Sequence, residues 1–273
     1  MSPTDTLAPR THRPAPGTTT TTPVGRLLSL ARAELTLIGR AKGTLFAALF
    51  VPLVVPFTMK SAAQEMDLKG TGLSVGSVLL PSAIAFSLLF AVYSALVTVY
   101  AARREELVLK RLRTGEVRDT EILAGAALPS VAIGLVQCLV LIGMCAAMLD
   151  VGTPGAVHYV ALGLVLGLVM FPLLAAVTSI VSQSVESAQV MVMPLLIASL
   201  IGSGATVPLE VMPDKLARIC ELLPLSPVIA LIRGGWTGEL DTGEALRALT
   251  IAVAWIAVGV FAVRKWFRWE PRR

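Results

Sequence analysis

Charge is scarce in this chain. Only 15% of its 273 residues are Asp, Glu, Lys or Arg, and it has two histidines, three cysteines and 5% aromatic residues. Each shortage excludes something. A metal hydrolase needs several converging ligands, and His12 and His158 are isolated, the first in a Pro/Thr-rich tail and the second at the edge of an apolar run. The Glu105-Glu106 pair has no histidine in a later apolar run to complete a membrane hydrolase site. Cys138, Cys145 and Cys220 are odd in number and form no CxxC, so neither a disulfide framework nor a zinc site is implied. Cys138 and Cys145 lie seven apart in one apolar run and read as buried, inert thiols. No GxxxxGK[ST] is present; in GRAKGT at 39–44, Lys42 precedes the glycine and no strand leads in, so the chain binds no nucleotide through that motif. Ionisable residues are almost missing from the apolar runs, where a proton- or sodium-coupled carrier needs them. Ser87, Thr98, Gln137, Thr178 and Ser199 are the polar content there, and are expected to bond helix backbones.

What is present is apolar: 55% of residues are hydrophobic, and the mean hydropathy is +0.77. Soluble domains are roughly 45–50% apolar and about 25% charged. The pattern predicts an all-α integral membrane protein with six spans, near 43–59, 78–101, 122–149, 156–181, 187–204 and 245–263. Prolines within them are tolerated where neighbouring helices satisfy the freed carbonyls. Residues 1–23 cannot offset their ordering entropy and read as a disordered tail without a signal-like apolar core. Residues 24–42 predict an amphipathic interfacial helix, with Leu27, Ala31, Leu35 and Ile38 on one face and Arg26, Ser29, Arg40 and Lys42 largely off it. The spans thus fall in a domain over 24–265, followed by a basic tail at 266–273. The halves show no repeat by eye, so an inverted-repeat transporter gains no support.

Basic residues orient the bundle. Six precede the first span, six lie at 103–121 and five follow the last span, so 17 of the 23 fall on one side if both ends are cytoplasmic. Trp266 and Trp269 then sit at a cytoplasmic aromatic belt, while Trp255 lies mid-span. The net charge of +5 is therefore a matter of topology, and no nucleic-acid partner is implied.

Two segments stand apart. RREELVLKRLRTGEVRDTE at 103–121 packs six bases and five acids into nineteen residues between spans. Read as a helix, Arg103, Glu106, Lys110 and Arg113 form a charged stripe beside Val108, Leu109 and Leu112, ended by Gly115. It suits either a handle for a soluble partner or a basic loop that only sets topology. The second segment, 205–243, predicts two short helices before the last span. One is opened by Pro213-Asp214 and stopped by Pro224; the other is opened by Pro227 and ended at Gly234-Gly235. Both are too short to span and suit re-entrant or interfacial helices. Arg233 there pairs with a backbone carbonyl or a lipid phosphate.

Together these residues resemble permease subunits of ABC-2 type transporters, a family that includes bacterial drug and polyketide exporters. The resemblance rests on the amphipathic entry helix, on E105-x-x-x-L109-K110-R111-L112-R113 between spans two and three, and on SGATVPLEVMPDKLARICELLPLSPVIALIRGGWTG before span six. After the basic run, where members often carry an Ala-Thr-Pro-like text, this chain has Thr114-Gly115-Glu116-Val117. The resemblance implies that Arg103, Glu105, Glu106, Leu109, Lys110, Arg111, Leu112 and Arg113 form a coupling helix against an ATP-binding subunit. It places Pro208, Met212, Pro213, Pro224, Pro227 and Arg233 in an extracellular re-entrant signature. It implies a multi-pass protein of the bacterial cytoplasmic membrane that is not itself an enzyme, with ATP and Mg on the partner and a second permease copy, identical or homologous. Efflux of a drug, antibiotic or lipid-like compound is the implied activity. An ion-coupled carrier and a non-transporting membrane scaffold are the competing readings.

Overall fold

The computed structural model describes residues 75–108, 118–148, 153–205, 209 and 212–267, with isolated positions 25, 32, 36 and 54. These are helical throughout, with turns between, and no strand occurs among the described residues. Five helices are long and apolar enough to cross a membrane. The expected first span, the entry helix and both tails lie outside the described residues, save for isolated positions.

The molecule is built around one long rod. Helix α1 (Val75–Ser87), a π-helical segment (Leu88–Ser94) and α2 (Ala95–Glu105) follow one another, with right-handed helical backbone at both junctions. Leu80, Ile84, Leu88, Leu89, Val92, Tyr93 and Leu96 are fully buried along it. Around it stand α3 (Asp119–Met148), α4 (Val157–Val181) and α5 (Val185–Gly202), with α8 (Thr242–Trp266) packed outside against α4. The expected span limits differ from these by a few residues at each end.

The rod is buried because its faces are apolar all round, as a central helix in a bundle requires. The polar groups on it are paired across helices. Ser87 Oγ donates to Gln137 Oε1 at 3.1 Å, joining α1 to α3. The Tyr93 hydroxyl and Thr178 Oγ1 lie 3.0 Å apart, joining the rod to α4. The expectation that these polar residues simply bond backbone holds for Thr98, which donates to Ser94 O at 3.1 Å. It fails for Ser87, Gln137 and Thr178, whose partners on neighbouring helices come within reach once the bundle closes.

Between α5 and α8 the chain folds into two short helices, α6 (Asp214–Cys220) and α7 (Ser226–Thr237). Helix α5 begins beside the end of α4 but has 18 residues against 25. At 1.5 Å per residue it stops roughly 10 Å short of the far end of α4. Helix α7 then fills that gap, lying antiparallel along the first turns of α4. Its middle meets Gly163, where a Cβ would lie 3.0 Å from Ile232 and 3.2 Å from the Val228 carbonyl, and its end bonds backbone to backbone ahead of α4. Those bonds are Ala156 N to Gly235 O at 2.8 Å and Gly155 N to Trp236 O at 3.1 Å.

One expected boundary is corrected here. Gly234-Gly235 does not end the second short helix; α7 continues to Thr237 and is capped by Gly238 at φ 77°. Gly235 is used for proximity instead. A Cβ there would lie 2.9 Å from Val160 N and 3.0 Å from Ala156 O.

Candidate functional site

The charged stretch begins where the rod ends. Helix α2 stops at Glu105, and Leu107 takes a left-handed φ of 57°. The single continuous helix expected over Arg103–Arg113 is therefore broken after its first turn. A left-handed φ interrupts the right-handed helical backbone, and for a leucine it is an uncommon choice. Arg103 and Glu106, predicted on one stripe, do meet, as an ion pair at 3.1 Å. Leu109, Lys110, Arg111, Leu112 and Arg113 lie outside the described residues.

The most consequential side chain at this end was not among the predicted ones. Arg104 is 2% exposed. Its Nη1 donates to the Ser179 carbonyl at 2.6 Å, and its Nη2 to the Ser182 carbonyl at 2.5 Å and Ser182 Oγ at 3.0 Å. Those acceptors belong to the C-terminal end of α4, where carbonyls lack intrahelical partners and the helix dipole is negative. Next to it, Glu105 accepts from the backbone N–H of Val185 at 2.9 Å, the first residue of α5, where free N–H groups and the positive dipole end favour a carboxylate.

The turn between α4 and α5 is itself strongly specified. Ser184 caps α5 by accepting from Ser187 N at 3.2 Å, and Ser187 Oγ accepts from Ser184 N at 2.8 Å. Ser182 Oγ donates back to Ser179 O at 2.8 Å. At the same end of the bundle, Tyr100 donates its hydroxyl to Leu123 O at 3.1 Å, tying α2 to α3. The signal for Arg104 was present in the sequence. On a charged helix it falls off the charged stripe, and a base on the apolar face needs a buried partner. The serine string 179–187 was the other half of that signal.

At the opposite end, four carbonyls between the end of α5 and the start of α7 each receive a side-chain donor. Arg233 donates to Gly204 O, Ser82 to Ala205 O, Ser226 to Cys220 O, and the Trp255 indole N–H to Leu222 O at 2.8 Å. Trp255 lies thirteen residues into α8, so the α6–α7 junction reaches about 20 Å along that helix from its start. Prolines reduce the number of backbone donors that need partners: Pro213 precedes α6, Pro224 sits in the junction and Pro227 opens α7. Met212 precedes Pro213 and is half-buried. Pro208 lies outside the described residues. Of the alternatives for Arg233, the backbone carbonyl is realised. A cavity of about 490 Å³ opens between this hairpin and α8, lined among others by Ser203, Glu221, Arg233, Glu244 and Arg247, with Glu221 and Arg247 ion-paired.

The three cysteines are buried free thiols, and the described residues contain no cluster of His, Cys, Asp or Glu able to hold a metal. The architecture is a helical bundle with a charged, pinned end and a proline-punctuated hairpin at the other. The family model of the ABC-2 type transporter matches residues 26–236, well over half the chain. The chain belongs to the ABC-2 type transporter family. No curated protein matches it. As an ABC-2 permease it is a multi-pass membrane transport component and not itself an ATPase. Permeases of this family normally work with an ATP-binding subunit. The matched region includes the break at Leu107, the Arg104 contacts and all of α7 up to Trp236.

Proposed function

We propose that this ABC-2 permease is driven by a separate ATP-binding subunit that grips residues 103–114, and that it exports a hydrophobic or amphipathic compound of the drug, antibiotic or lipid-like kind. One observation carries the reading: the charged segment departs directly from the end of the most buried helix, so a force applied to it enters the core of the bundle. The bases at 103–121 and near both termini support, by the positive-inside rule, an orientation with that end and both termini in the cytoplasm, and we take the membrane to be a bacterial cytoplasmic one. ATP and Mg belong to the partner. Its nucleotide-driven closure moves the handle, and the bundle switches toward the outside, where the α6–α7 hairpin closes or opens the exit as a re-entrant gate. A second permease copy, identical or homologous, completes the pathway, because the ATPase acts as a pair. The described part of the spans supports an external energy source, since its ionisable side chains cluster at helix ends rather than mid-bundle.

Copurification tests this reading. Tagged permease is expected to retain an ATPase through detergent extraction. Lys110→Glu plus Arg113→Glu should weaken that association at least about tenfold, as charge reversal at a docking surface places like charges together. Full association by the double variant refutes the handle.

A further inference from the structure

We propose that Arg104 and Glu105 form a latch that makes the ends of α2, α4 and α5 move as one body, so that force on the handle is delivered to three spans at once. The proposal rests on the ATPase-driven reading above and names the residues that transmit it.

The geometry is specific. Two adjacent residues at the end of one helix grip two other helix ends of opposite polarity: a guanidinium on the carbonyl end of α4, a carboxylate on the amide end of α5. Exchanging the two charges would set each against the wrong dipole. Arg104 is buried, so releasing Ser179 and Ser182 would strand both the cation and the carbonyls. Its planar fork engages two carbonyls and a hydroxyl together, which a flexible ammonium does less well. The turn it holds has its own serine caps, so it moves as a unit rather than unravelling.

The left-handed break follows two residues later, at Leu107. Arg104 and Glu105 therefore tie the first turn of the handle to the bundle, ahead of the break. Within that turn, Arg103 forms its ion pair with Glu106. A purely local helix cap would need only one of the two contacts. The pair of them fixes both the position and the rotation of α2 relative to the α4–α5 turn.

The experiment uses the permease together with the ATP-binding subunit that copurifies with it, in proteoliposomes. A reporter cysteine replaces exposed Glu239 at the opposite end of the bundle, while native Cys138, Cys145 and Cys220 are buried. A water-soluble maleimide reads its labelling rate with and without ATP plus vanadate. Arg104 lies within 103–114 but is buried against α4 and presents no surface to the partner, so the expected result for Arg104→Gln is retained ATPase association with the nucleotide-dependent labelling change reduced at least about fivefold, the lower end of couplings between distant sites. Arg104→Lys, which keeps the charge, should recover part of it. A role in stability alone would lower the amount of protein without separating association from response.

An undiminished labelling change in Arg104→Gln overturns the latch while leaving the handle standing. Should Arg104→Gln fail to accumulate, exposed Glu105→Ala decides, read on complex that has kept its ATPase because Glu105 also lies on the handle: a smaller loss of labelling change per bound ATPase supports the latch, and none overturns it. If the parent protein shows no association with an ATPase, the driven reading falls and the latch with it.

Discussion

Replacing Gly235 by alanine tests whether the hairpin is seated on α4 as tightly as its geometry implies. The added methyl carbon would lie 2.9 Å from Tyr159 Cβ, 2.9 Å from Val160 N and 3.0 Å from Ala156 O. Two of these are backbone atoms of a helix and its lead-in, which cannot swing aside. Overpacking of this kind costs about 1–3 kcal/mol. Pushing α7 outward also stretches the bonds from Ala156 N and Gly155 N to Gly235 and Trp236 carbonyls, now 2.8 and 3.1 Å. Each contributes about 0.5–1.5 kcal/mol net. Against this, alanine in place of glycine gains up to about 1 kcal/mol of helix propensity. The balance is a loss of about 3 kcal/mol. For a chain of this size that lowers the apparent melting temperature by on the order of 5–10 °C. Thermal unfolding of the purified permease in one detergent, followed by tryptophan fluorescence, reads it. Gly143→Ala in α3 is the matched control, because a Cβ there meets nothing within 4 Å. It should melt at or slightly above wild type. If Gly235→Ala melts no lower than Gly143→Ala, α7 is not seated on α4 in this way.

Two further substitutions probe the same hairpin from other sides. Trp255→Phe keeps the ring but removes the donor to Leu222 O at 2.8 Å. A stranded carbonyl costs about 1–3 kcal/mol, so melting should fall by several degrees; no change would mean that another donor replaces the indole. Gly204, at φ 75°, should accept alanine at a cost of about 1–2 kcal/mol for the left-handed backbone, with Leu209 Cγ only 3.1 Å from the new Cβ. Gly204→Asn should lose less than Gly204→Ala on the same melting assay, because asparagine tolerates that region; the reverse order would refute the backbone explanation.

The expected limits of spans two to six come close because they follow a sharp contrast. Asp119 and Glu121 open α3, Ser184 caps α5, Asp241 caps α8 by accepting from Gly243 N at 3.0 Å, and each abuts a long apolar run. Pro213 and Pro227 likewise mark the starts of α6 and α7. Readings that depended on a neighbour did worse. Whether Gly235 ends a helix or admits one depends on α4 lying against it. Arg104 differs from Arg103 only in direction, inward rather than outward, and its acceptors are some 75 residues away. The charged stripe assumed uninterrupted helix geometry, which Leu107 breaks although leucine seldom takes a positive φ. Such choices are made by tertiary contacts that a local pattern does not contain.

The π-helical turn at Leu88–Ser94 has a consequence for length. A wide turn holds one residue more than α-helix of similar reach, and one residue amounts to about 100° of rotation for only about 1.5 Å of rise. The two halves of the rod are therefore out of phase as read from either end. Loss of a single codon within 88–94 would let this turn close to ordinary α-helix with Arg104 still near Ser179 and Ser182, whereas the same loss from the α-helical stretch at 95–103 would swing Arg104 about 100° away from them. For this helix, the harm done by a deletion that hydropathy would pass depends on whether it falls inside the wide turn or beyond it.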